Sequence, residues 1–345
     1  MNEDPVNDLE NEEEELFEHH RFKADPGQVV IRIDKFLIDR MANTSRNKIQ
    51  VAAKNGNILV NGQKVKQNFK VKPGDEVSIV LPYPVREIEL IPQDIPIEIA
   101  YEDDDLLVVN KPANMVVHPG YGNYTGTLVN ALVFHIQHLP SPPKDYYGRP
   151  GLVHRIDKHT TGLLLIAKTE LALVELAKQF YNRTTERRYH ALVWGDVEQD
   201  GTIEGNIGRS LKNRKVMVVF KDGDHGKTAI THYKVLERFG LVTLIECKLE
   251  TGRTHQIRVH FQSIGHPLFN DLEYGGNRVV KGTRSASYER FVQHCMELIP
   301  GQALHAKTLG FIQPTTQQYL EFNSQLPSGF TELIERWRNY CSDFK

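Results

Sequence analysis

Asp157 is the acidic residue whose neighbours are best suited to chemistry. It lies in the segment GLVHRIDKHTTG (151–162), after the basic pair His154 and Arg155 and before the apolar run LLLIA. A carboxylate in this setting can attack as a nucleophile or accept a proton as a base. The commoner role of a lone acid before Thr-Gly is to cap backbone amides in a turn, with Arg155 neutralising its charge.

A second polar segment, TGRTHQIRVH (251–260), follows a β-like run. Strand alternation places Arg253 and His255 on one face and the other polar residues, including Arg258 and His260, on the opposite face. Such a polar strand is rarely part of a core, so this segment is predicted to contribute to a site.

Histidines raise the possibility of a metal site, since the chain contains 15 of them. His255 and His260 come closest to ligand spacing, but five residues apart on a strand they face opposite sides, and no second pair with zinc-site spacing accompanies them. We therefore expect neither a metal nor an organic cofactor.

Composition indicates a cytoplasmic globular protein of 345 residues, 40% of them hydrophobic and 25% charged. We expect no membrane partner, because no apolar run reaches the ~18 residues of a membrane helix and the acidic N-terminus lacks the features of a secretory signal. Three widely spaced cysteines support neither a disulfide framework nor a four-cysteine zinc site.

The charge is distributed unevenly along the chain. Residues 1–20 hold nine Asp or Glu and no Lys or Arg, whereas residues 27–82 hold ten Lys or Arg against four Asp or Glu. Residues 1–20 are predicted to be a disordered acidic tail, because they bury too little apolar area to offset the entropy of ordering. The basic segment is compatible with a polyanionic partner, although it could also be ordinary solubilising surface.

Residues 27–82 are predicted to form a small ααβ domain. Apolar residues recur at helical spacing from Ile33 to Met41, a second helix follows the cap candidates Asn43-Thr44-Ser45 and ends near Gly56, and Asn61-Gly62 predicts a hairpin turn. Val77 to Leu81 is predicted to form another strand. Residues 83–96, rich in proline, are predicted to be a linker.

Residues 97–330 are predicted to form a second domain of the α+β class, followed by a C-terminal helical extension over residues 331–345. Its β-like runs are Leu106–Val109, Leu163–Ile166, His190–Trp194 and Val242–Leu249, with a helix at Leu171–Phe180. Since strict βαβ alternation and a glycine-rich phosphate loop are absent from the sequence, a largely antiparallel mixed sheet is favoured over a doubly wound one.

The first domain resembles the S4 RNA-binding domain in the runs RIDKFLIDR (32–40), SRNKIQ (45–50), NGNILVNGQKVK (55–66) and VKPGDEV (71–77). The resemblance implies RNA contacts by four basic residues, Arg46 and Lys48 at a helix start, and Lys64 and Lys66 after the hairpin turn. A helix N-terminus also favours phosphate.

The rest of the chain, from about Ile97 to Phe330, resembles the RluA, RluC and RluD family of RNA pseudouridine synthases. Nine sequence blocks carry the resemblance in order: NKPANMVVHPG, GTLVNALV, RPGLVHRIDKHTTGLLLIAKT, RRYHALVWG, IGRS, GKTAITHYKVLE, LETGRTHQIRVHF, GHPLFNDLEYGG and ALHAKTLGF. An S4-like domain before them is typical of the RluC and RluD subgroups.

The resemblance implies the pseudouridine synthase fold and a set of site residues. Asp157 falls on the catalytic aspartate, Tyr189 on the uracil-stacking tyrosine and Arg258 on the arginine that pairs with the aspartate. Arg155, Lys111 and Arg253 are the residues expected to contact substrate. Taken alone, Tyr189 would be interpreted as a half-buried strand aromatic and Arg258 as part of a structural ion pair.

Three positions depart from the family pattern. Asn114 and Asn270 stand where the family usually has glycine, and Gln313 stands where it usually has histidine. Asparagine is the next-best residue for a left-handed backbone, so the first two are expected to be tolerated. The departure at Gln313 is expected to affect only local contacts, either with RNA or within the protein.

The resemblance implies isomerisation of uridine to pseudouridine by a monomer, with RNA rather than DNA as partner. Large-subunit ribosomal RNA is the favoured substrate. The alternatives are a transfer RNA pseudouridine synthase, a non-catalytic RNA-binding ribosome-assembly factor, and a hydrolase that pairs Asp157 with the acidic run at 102–105. That run is more simply interpreted as a solvated turn.

Overall fold

The structure, a computed structural model, describes residues 17–41, 44, 46–81, 90–120, 122–136, 139, 150–213, 216–220, 222–223, 225–283 and 285–342. The chain divides into two compact units, Met1–Ile88 and Glu89–Lys345. Within the described ranges, no helix combines the length and apolar character required to cross a membrane.

The first unit packs two short helices on a small antiparallel sheet. Its elements are β1 (Phe17–Lys23), β2 (Ile31–Arg32), α1 (Ile33–Ile38), α2 (Arg46–Lys54), β3 (Ile58–Val60), β4 (Gln63–Lys64), β5 (Lys70–Val71) and β6 (Glu76–Leu81). Four of these strands form one sheet in the order β1-β6-β3-β4, and β2 pairs with β5. Its buried core includes Ile33, Phe36, Ile49, Ile58 and Val77.

The turn between β3 and β4 confirms the predicted hairpin. Asn61 and Gly62 both have positive φ, 50° and 79°, as a type I′ turn requires. Both predicted helices and the strand β6 are also present. Of the cap candidates before α2, Asn43 and Ser45 lie outside the described residues.

The predicted disordered tail is wrong for residues 17–20. These residues belong to β1, which pairs antiparallel with β6 from Phe17–Leu81 to Lys23–Glu76. The alternation of half-buried and exposed side chains along β1 explains the pairing, because one face packs on the sheet while Glu18 and Arg21 form an exposed ion pair. Residues 1–16 lie outside the described part of the chain.

The predicted linker divides into two parts. Residues 83–89 lie outside the described residues, whereas residues 90–96 belong to the second unit. The backbone amide of Gln93 donates to the carbonyl of Asn130, and the side-chain amide of Asn130 donates to the carbonyl of Ile91. The second unit therefore includes residues that the sequence assigned to the linker.

The second unit is built on a mixed sheet flanked by helices. Its described elements are β7 (Glu98–Glu102), β8 (Leu106–Lys111), α3 (Leu128–His135), β9 (Thr161–Ala167), α4 (Glu170–Asn182), β10 (Glu186–Trp194), β11 (Gly201–Arg209), β12 (Met217–Phe220), β13 (Lys227–Arg238), β14 (Val242–Leu249), α5 (Gln256–Ser263), α6 (Ala286–Glu297), β15 (Leu304–Ile312), β16 (Tyr319–Asn323) and α7 (Ser328–Ser342).

Ten of these strands form one sheet in the described part of the chain. The order is β12-β11-β13-β14-β10-β15-β9-β8-β7, with β16 added beside β15. Among the described strands of this sheet every pair is antiparallel except β9 with β15, which confirms the predicted α+β class. The four predicted strands and the helix at Leu171–Phe180 lie within β8, β9, β10, β14 and α4.

Local sequence explains the helices that flank the sheet. Thr127 caps α3 in a capping box with Asn130, and Thr169 caps α4 by accepting from the amide of Ala172. The predicted C-terminal extension is helical over residues 331–342, within α7, which buries Leu333 and Trp337 in the core around Trp194. Residues 343–345 lie outside the described part of the chain. This helix is thus an integral part of the second unit.

The parallel junction of β9 and β15 requires glycine at position 162. Gly162 has a φ of +104°, and a Cβ there would overlap the carbonyl oxygen of Ala306. Because this close approach comes five residues after Asp157, it fixes the end of the loop that carries the carboxylate.

Candidate active site

The loop of residues 150–160 holds Asp157 against the sheet. It runs back along β9, where the amide of Ala167 donates to the carbonyl of Gly151 and the amide of Leu165 donates to Nε2 of His154. Ile156 is buried in the main core beside Asp157, and the side chain of Asp157 is 18% exposed. Ile156 thus anchors the loop in the core, while the neighbouring carboxylate of Asp157 lines a cavity.

Lys111 supports this loop from behind. Its ammonium group donates to the carbonyl oxygens of Pro112, Met115 and Lys158, at 2.7, 2.9 and 3.1 Å, and the residue is 1% exposed. Burial lowers the pKa of Lys111 to about 7, and the nearby Asp157 opposes this shift. The prediction that Lys111 contacts substrate is not supported by this burial, since all three donors are used within the protein.

Arg258 joins three carboxylates at the site. Its Nη1 donates to Asp157 at 3.1 Å, its Nε and Nη2 donate to Asp271 at 2.7 and 2.8 Å, and Nη2 also donates to Glu273 at 2.5 Å. Although burial by itself lowers the pKa of Arg258, these carboxylates raise it well above its usual value. The guanidinium group therefore stays charged and orients Asp157.

The predicted strand over residues 251–260 is wrong. Residues 256–263 form α5, and His255 stands before it in the left-handed conformation with a φ of 56°. The buried amide of Gln256 stabilises this helix start, because its Oε1 accepts from the amide of Arg253 and its Nε2 donates to the carbonyl of Ile230. The sequence misled because residues 256–261 alternate polar and apolar side chains as a strand does, whereas all six are buried in the helix.

The helix start brings His255 and Arg258 to the same carboxylate. Nε2 of His255 lies 3.8 Å from Asp157, and its Nδ1 hydrogen bonds with the hydroxyl of Tyr274 at 2.8 Å. Burial lowers the pKa of His255, which Asp157 opposes, so the ring is held toward its neutral form. A strand would have placed these two side chains on opposite faces.

Tyr189 reaches the site from β10. It is buried in the main core at 7% exposure and lies on the same face of the strand as Arg187. Burial raises the pKa of Tyr189, so its hydroxyl stays protonated near neutral pH.

A cavity of about 600 Å³ is lined by Asp157 and by four other predicted site residues, Arg155, Tyr189, Arg253 and Arg258. Arg155 is exposed at its edge, and Arg253 is half-buried with its Nε donating to the carbonyl of Thr228. Asp157 and Arg155 also line a second, adjoining cavity of about 1040 Å³. The first cavity is lined by two carboxylates, Asp157 and Glu250, and five arginines, Arg155, Arg183, Arg187, Arg253 and Arg258.

Three participants were missed by sequence reasoning. Asp271 is fully buried and Glu273 is half-exposed beside Arg258, and both lie in the block GHPLFNDLEYGG. These two acidic residues could have been predicted as further partners of Arg258, since a buried arginine requires counterions. Arg187 could have been found by strand alternation, because it stands two residues before Tyr189.

The basic residues predicted to bind RNA lie on the first unit. Arg46, Lys48, Lys64 and Lys66 are all exposed. Arg46 also donates through Nε to the buried carboxylate of Asp34 at 2.8 Å. Although burial alone would raise the pKa of Asp34, hydrogen bonds from Arg32 and Arg46 lower it well below its usual range. Arg46 thus stabilises the unit as well as presenting a positive charge.

The three departures from the family pattern have local explanations. Asn114 and Asn270 have φ values of 64° and 59°, as expected for residues that replace glycine. Gln313 is buried and bonds through Nε2 to Asp105 and through Oε1 to the amides of Thr315 and Thr316, which is a packing role.

The acidic run at 102–105 forms a turn away from Asp157. Oδ1 of Asp103 accepts from the amides of Asp105 and Leu106, and Glu102 pairs with Lys168. These side chains do not line either cavity at Asp157. The run therefore does not supply the partner carboxylate that a hydrolase would need.

Comparison with known proteins agrees with both units. Residues 105–263 match the family described as RNA pseudouridylate synthase, and residues 31–77 match the S4 domain. An uncharacterized RNA pseudouridine synthase of Chlorobaculum parvum is 48% identical over 315 residues, which cover 90% of this chain and 95% of that protein.

Two further relatives carry more specific descriptions. Ribosomal large subunit pseudouridine synthase D of Zymomonas mobilis is 42% identical over 88% of this chain and 93% of its own. The solved structure of human RNA Pseudouridylate Synthase Domain Containing 1 is 25% identical, with a TM-score of 0.52 over 71% of this chain and 96% of its own. The chain therefore belongs to the RluA, RluC and RluD family of RNA pseudouridine synthases, which are isomerases acting on RNA, and it carries an S4 domain.

Proposed function

We propose that this protein isomerises uridine in large-subunit ribosomal RNA, with Asp157 as the catalytic carboxylate. The observation that carries the proposal is the pairing of Asp157 with Arg258 at 3.1 Å, on the wall of a cavity that Tyr189 also lines. The carboxylate is anchored by the protein, yet remains accessible from the cavity.

The chemistry requires one carboxylate and no redox partner. The bond from C1′ of the ribose to N1 of uracil breaks, the base turns, and a bond from C1′ to C5 forms. The proton on C5 is then lost and N1 gains one, so that the product has the same composition as the substrate. Asp157 can act as a nucleophile on the nucleotide or as a base on the sugar, because it presents an oxygen to the cavity.

The nucleotide must leave its stack before it can reach Asp157. Extrusion costs a few kcal/mol, and stacking of the base on an aromatic ring returns about 1–3 kcal/mol. We assign the stacking to Tyr189. To Arg155, an exposed residue that lines the cavity, we assign the role of filling or bracing the space that the nucleotide vacates.

Substitution of Tyr189 tests this assignment. Tyr189→Phe retains the aromatic ring and is expected to bind substrate RNA nearly as well as the wild type, whereas Tyr189→Leu keeps apolar volume in the core but loses stacking worth about 1–3 kcal/mol. Single-turnover rates and binding constants for both variants are the measurements. Equal rates and affinities in Phe and Leu variants that fold normally would exclude base stacking by Tyr189.

The first unit is proposed to bind RNA through Lys48, Lys64 and Lys66. Replacing all three by Gln should lower the slope of log affinity against log salt by about 0.7–0.9 for each phosphate whose lysine is replaced. The measurement is RNA binding at several salt concentrations. A slope equal to that of the wild type would mean that this face does not bind RNA.

A charge-matched control is available on the second unit. Three surface arginines of that unit pair with carboxylates. Replacing them by Gln removes the same amount of charge and leaves the proposed phosphate-binding lysines in place. The slope of log affinity against log salt should therefore stay near that of the wild type. The three arginines are Arg238, Arg336 and Arg338, paired with Asp196, Glu332 and Glu237.

Large-subunit ribosomal RNA is favoured as the substrate because the S4 domain precedes the catalytic domain and because the Zymomonas mobilis relative is described as acting on the ribosomal large subunit. Pseudouridine mapping in ribosomal and transfer RNA from cells with and without the gene tests this proposal. Disappearance of a large-subunit pseudouridine in the deletion strain is the expected result. A change confined to transfer RNA would change the substrate, and an unchanged map would favour a non-catalytic assembly factor.

A further inference from the structure

Arg187 is a buried cation whose role is not explained by the interactions that hold Asp157. It alternates with Arg188 along β10, so the two neighbours face opposite sides of the strand. Arg188 is half-exposed and pairs with Glu186 and Glu246 at 2.8 and 3.4 Å. Arg187 is 7% exposed and shares the face of Tyr189.

The protein supplies Arg187 with no counterion among the described residues. Within that part of the chain, no carboxylate lies within 4.0 Å of its guanidinium group, and its buried Nε has no hydrogen-bond partner. The guanidinium carbon lies 5.3 Å from the centre of the Phe180 ring, which gives a weak cation–π interaction. Burial correspondingly lowers the pKa of Arg187.

His154, a polar neighbour of Arg187, does not neutralise the charge of the guanidinium group. His154 stacks on the ring of Phe180, with ring centres 4.5 Å apart, and its Nε2 accepts from the amide of Leu165. Burial together with the charge of Arg187 lowers the pKa of His154 to about 3, so the ring is neutral. A buried, unpaired charge strongly destabilises a fold. The presence of such a charge at Arg187 is therefore explained best by a ligand that compensates it.

The guanidinium group is placed where a ligand can reach it. Arg187 lines the cavity that contains Asp157 and Tyr189. Gly252 lies beside it, and a Cβ at that position would come within 3.0 Å of Nη1 of Arg187. Glycine at position 252 therefore leaves room next to the guanidinium edge. Arg258 cannot serve the same purpose, since three carboxylates already occupy it.

We propose that Arg187 binds a backbone phosphate of the substrate RNA, next to the nucleotide that enters the cavity. The proposal rests on the RNA substrate of the proposed function. The phosphate is the group of RNA that carries a full negative charge, and the guanidinium edge can donate two parallel hydrogen bonds to its oxygens. Such an interaction would fix the backbone while Tyr189 holds the base.

The test compares Arg187→Met and Arg187→Lys with the matched control Arg188→Met. The probe is large-subunit ribosomal RNA isolated from a strain that lacks the gene. Arg187→Met should raise KM about 10- to 100-fold, the range expected for hydrogen bonds to a charged group, and KM should rise by more than kcat falls. It should also lower the salt slope of binding by about 0.7–0.9.

The variants separate phosphate binding from a structural role. Arg187→Lys keeps the charge but loses the paired donors, so the salt slope should stay near that of the wild type while KM rises. Arg188→Met should change neither quantity. Because Arg187 has no counterion among the described residues, Arg187→Met should unfold at the same denaturant concentration as the wild type or at a higher one.

The outcomes that overturn the proposal differ from those that overturn the proposed function. Wild-type protein that does not isomerise this RNA overturns the function. If the wild type is active but Arg187→Met has an unchanged salt slope, phosphate binding by Arg187 is refuted. Failure of both Arg187 variants to fold would likewise refute it, since Arg187 would then be a structural residue.

Discussion

Asp157→Asn is expected to abolish pseudouridine formation. The amide has the shape of the carboxylate and can still accept a hydrogen bond from Arg258, but it can neither attack nor take a proton. The loss should far exceed the ~10²–10⁴ that is typical of an assisting acid–base group. Stability should change little, because Arg258 keeps its bonds to Asp271 and Glu273. Single-turnover assays and denaturant unfolding measure the two effects.

The matched control for this substitution is Asp196→Asn. Asp196 also pairs with an arginine, Arg238, but on the surface and away from both cavities. It should retain wild-type turnover, which shows that the change from carboxylate to amide is harmless elsewhere. If purified Asp157→Asn kept about a tenth of wild-type turnover, Asp157 would not be the catalytic residue.

Arg258→Met is expected to lower both activity and stability. The substitution leaves Asp271 fully buried without its cation, and breaking a buried pair in this way costs about 3–5 kcal/mol of unfolding free energy. Turnover should fall by roughly 10²–10³, as it does when one preorganised donor is removed from a reacting centre. Urea unfolding and single-turnover rates are the measurements.

A double variant separates the two roles of Arg258. Adding Asp271→Asn to Arg258→Met removes the uncompensated charge, while the amide oxygen can still accept from the backbone of Glu273 and Tyr274. Stability should therefore recover in large part, whereas activity should not, because Asp157 still lacks its partner. Recovery of activity together with stability would show that Arg258 serves only the fold.

Local signals predicted much of the fold. Asn61-Gly62 predicted the first hairpin because a type I′ turn depends on residues next to each other. The apolar runs that became β8, β9, β10 and β14 were recognisable because each contains at least four consecutive buried residues. The resemblance to a family then brought Asp157, Tyr189 and Arg258 into one site, and the structure places all three on one cavity.

The missed features depend on interactions between distant segments. The segment that forms α5 alternates apolar and polar residues like a strand, and only burial of the whole helix by its surroundings decides the outcome. The resemblance assigned Lys111 to substrate contact, and its three carbonyl partners, in particular that of Lys158, cannot be identified from the sequence. The buried bond between Arg258 and Asp271 likewise links residues whose proximity depends on the fold.

The loop that carries Asp157 is restrained on both sides. Lys111 binds the carbonyl of Lys158, Arg258 binds the carboxylate itself, and Gly162 is packed against β15. On the proposed assignment of Asp157 as the catalytic carboxylate, a group fixed in this way does not move to meet its substrate, and the RNA supplies the distortion. Uridines in loops or weakly stacked positions reach the carboxylate at lower free-energy cost than those inside a regular helix. We therefore expect the rate of modification to depend on the mechanical compliance of the RNA at each site. The same RNA sequence held in two different secondary structures should be modified at different rates.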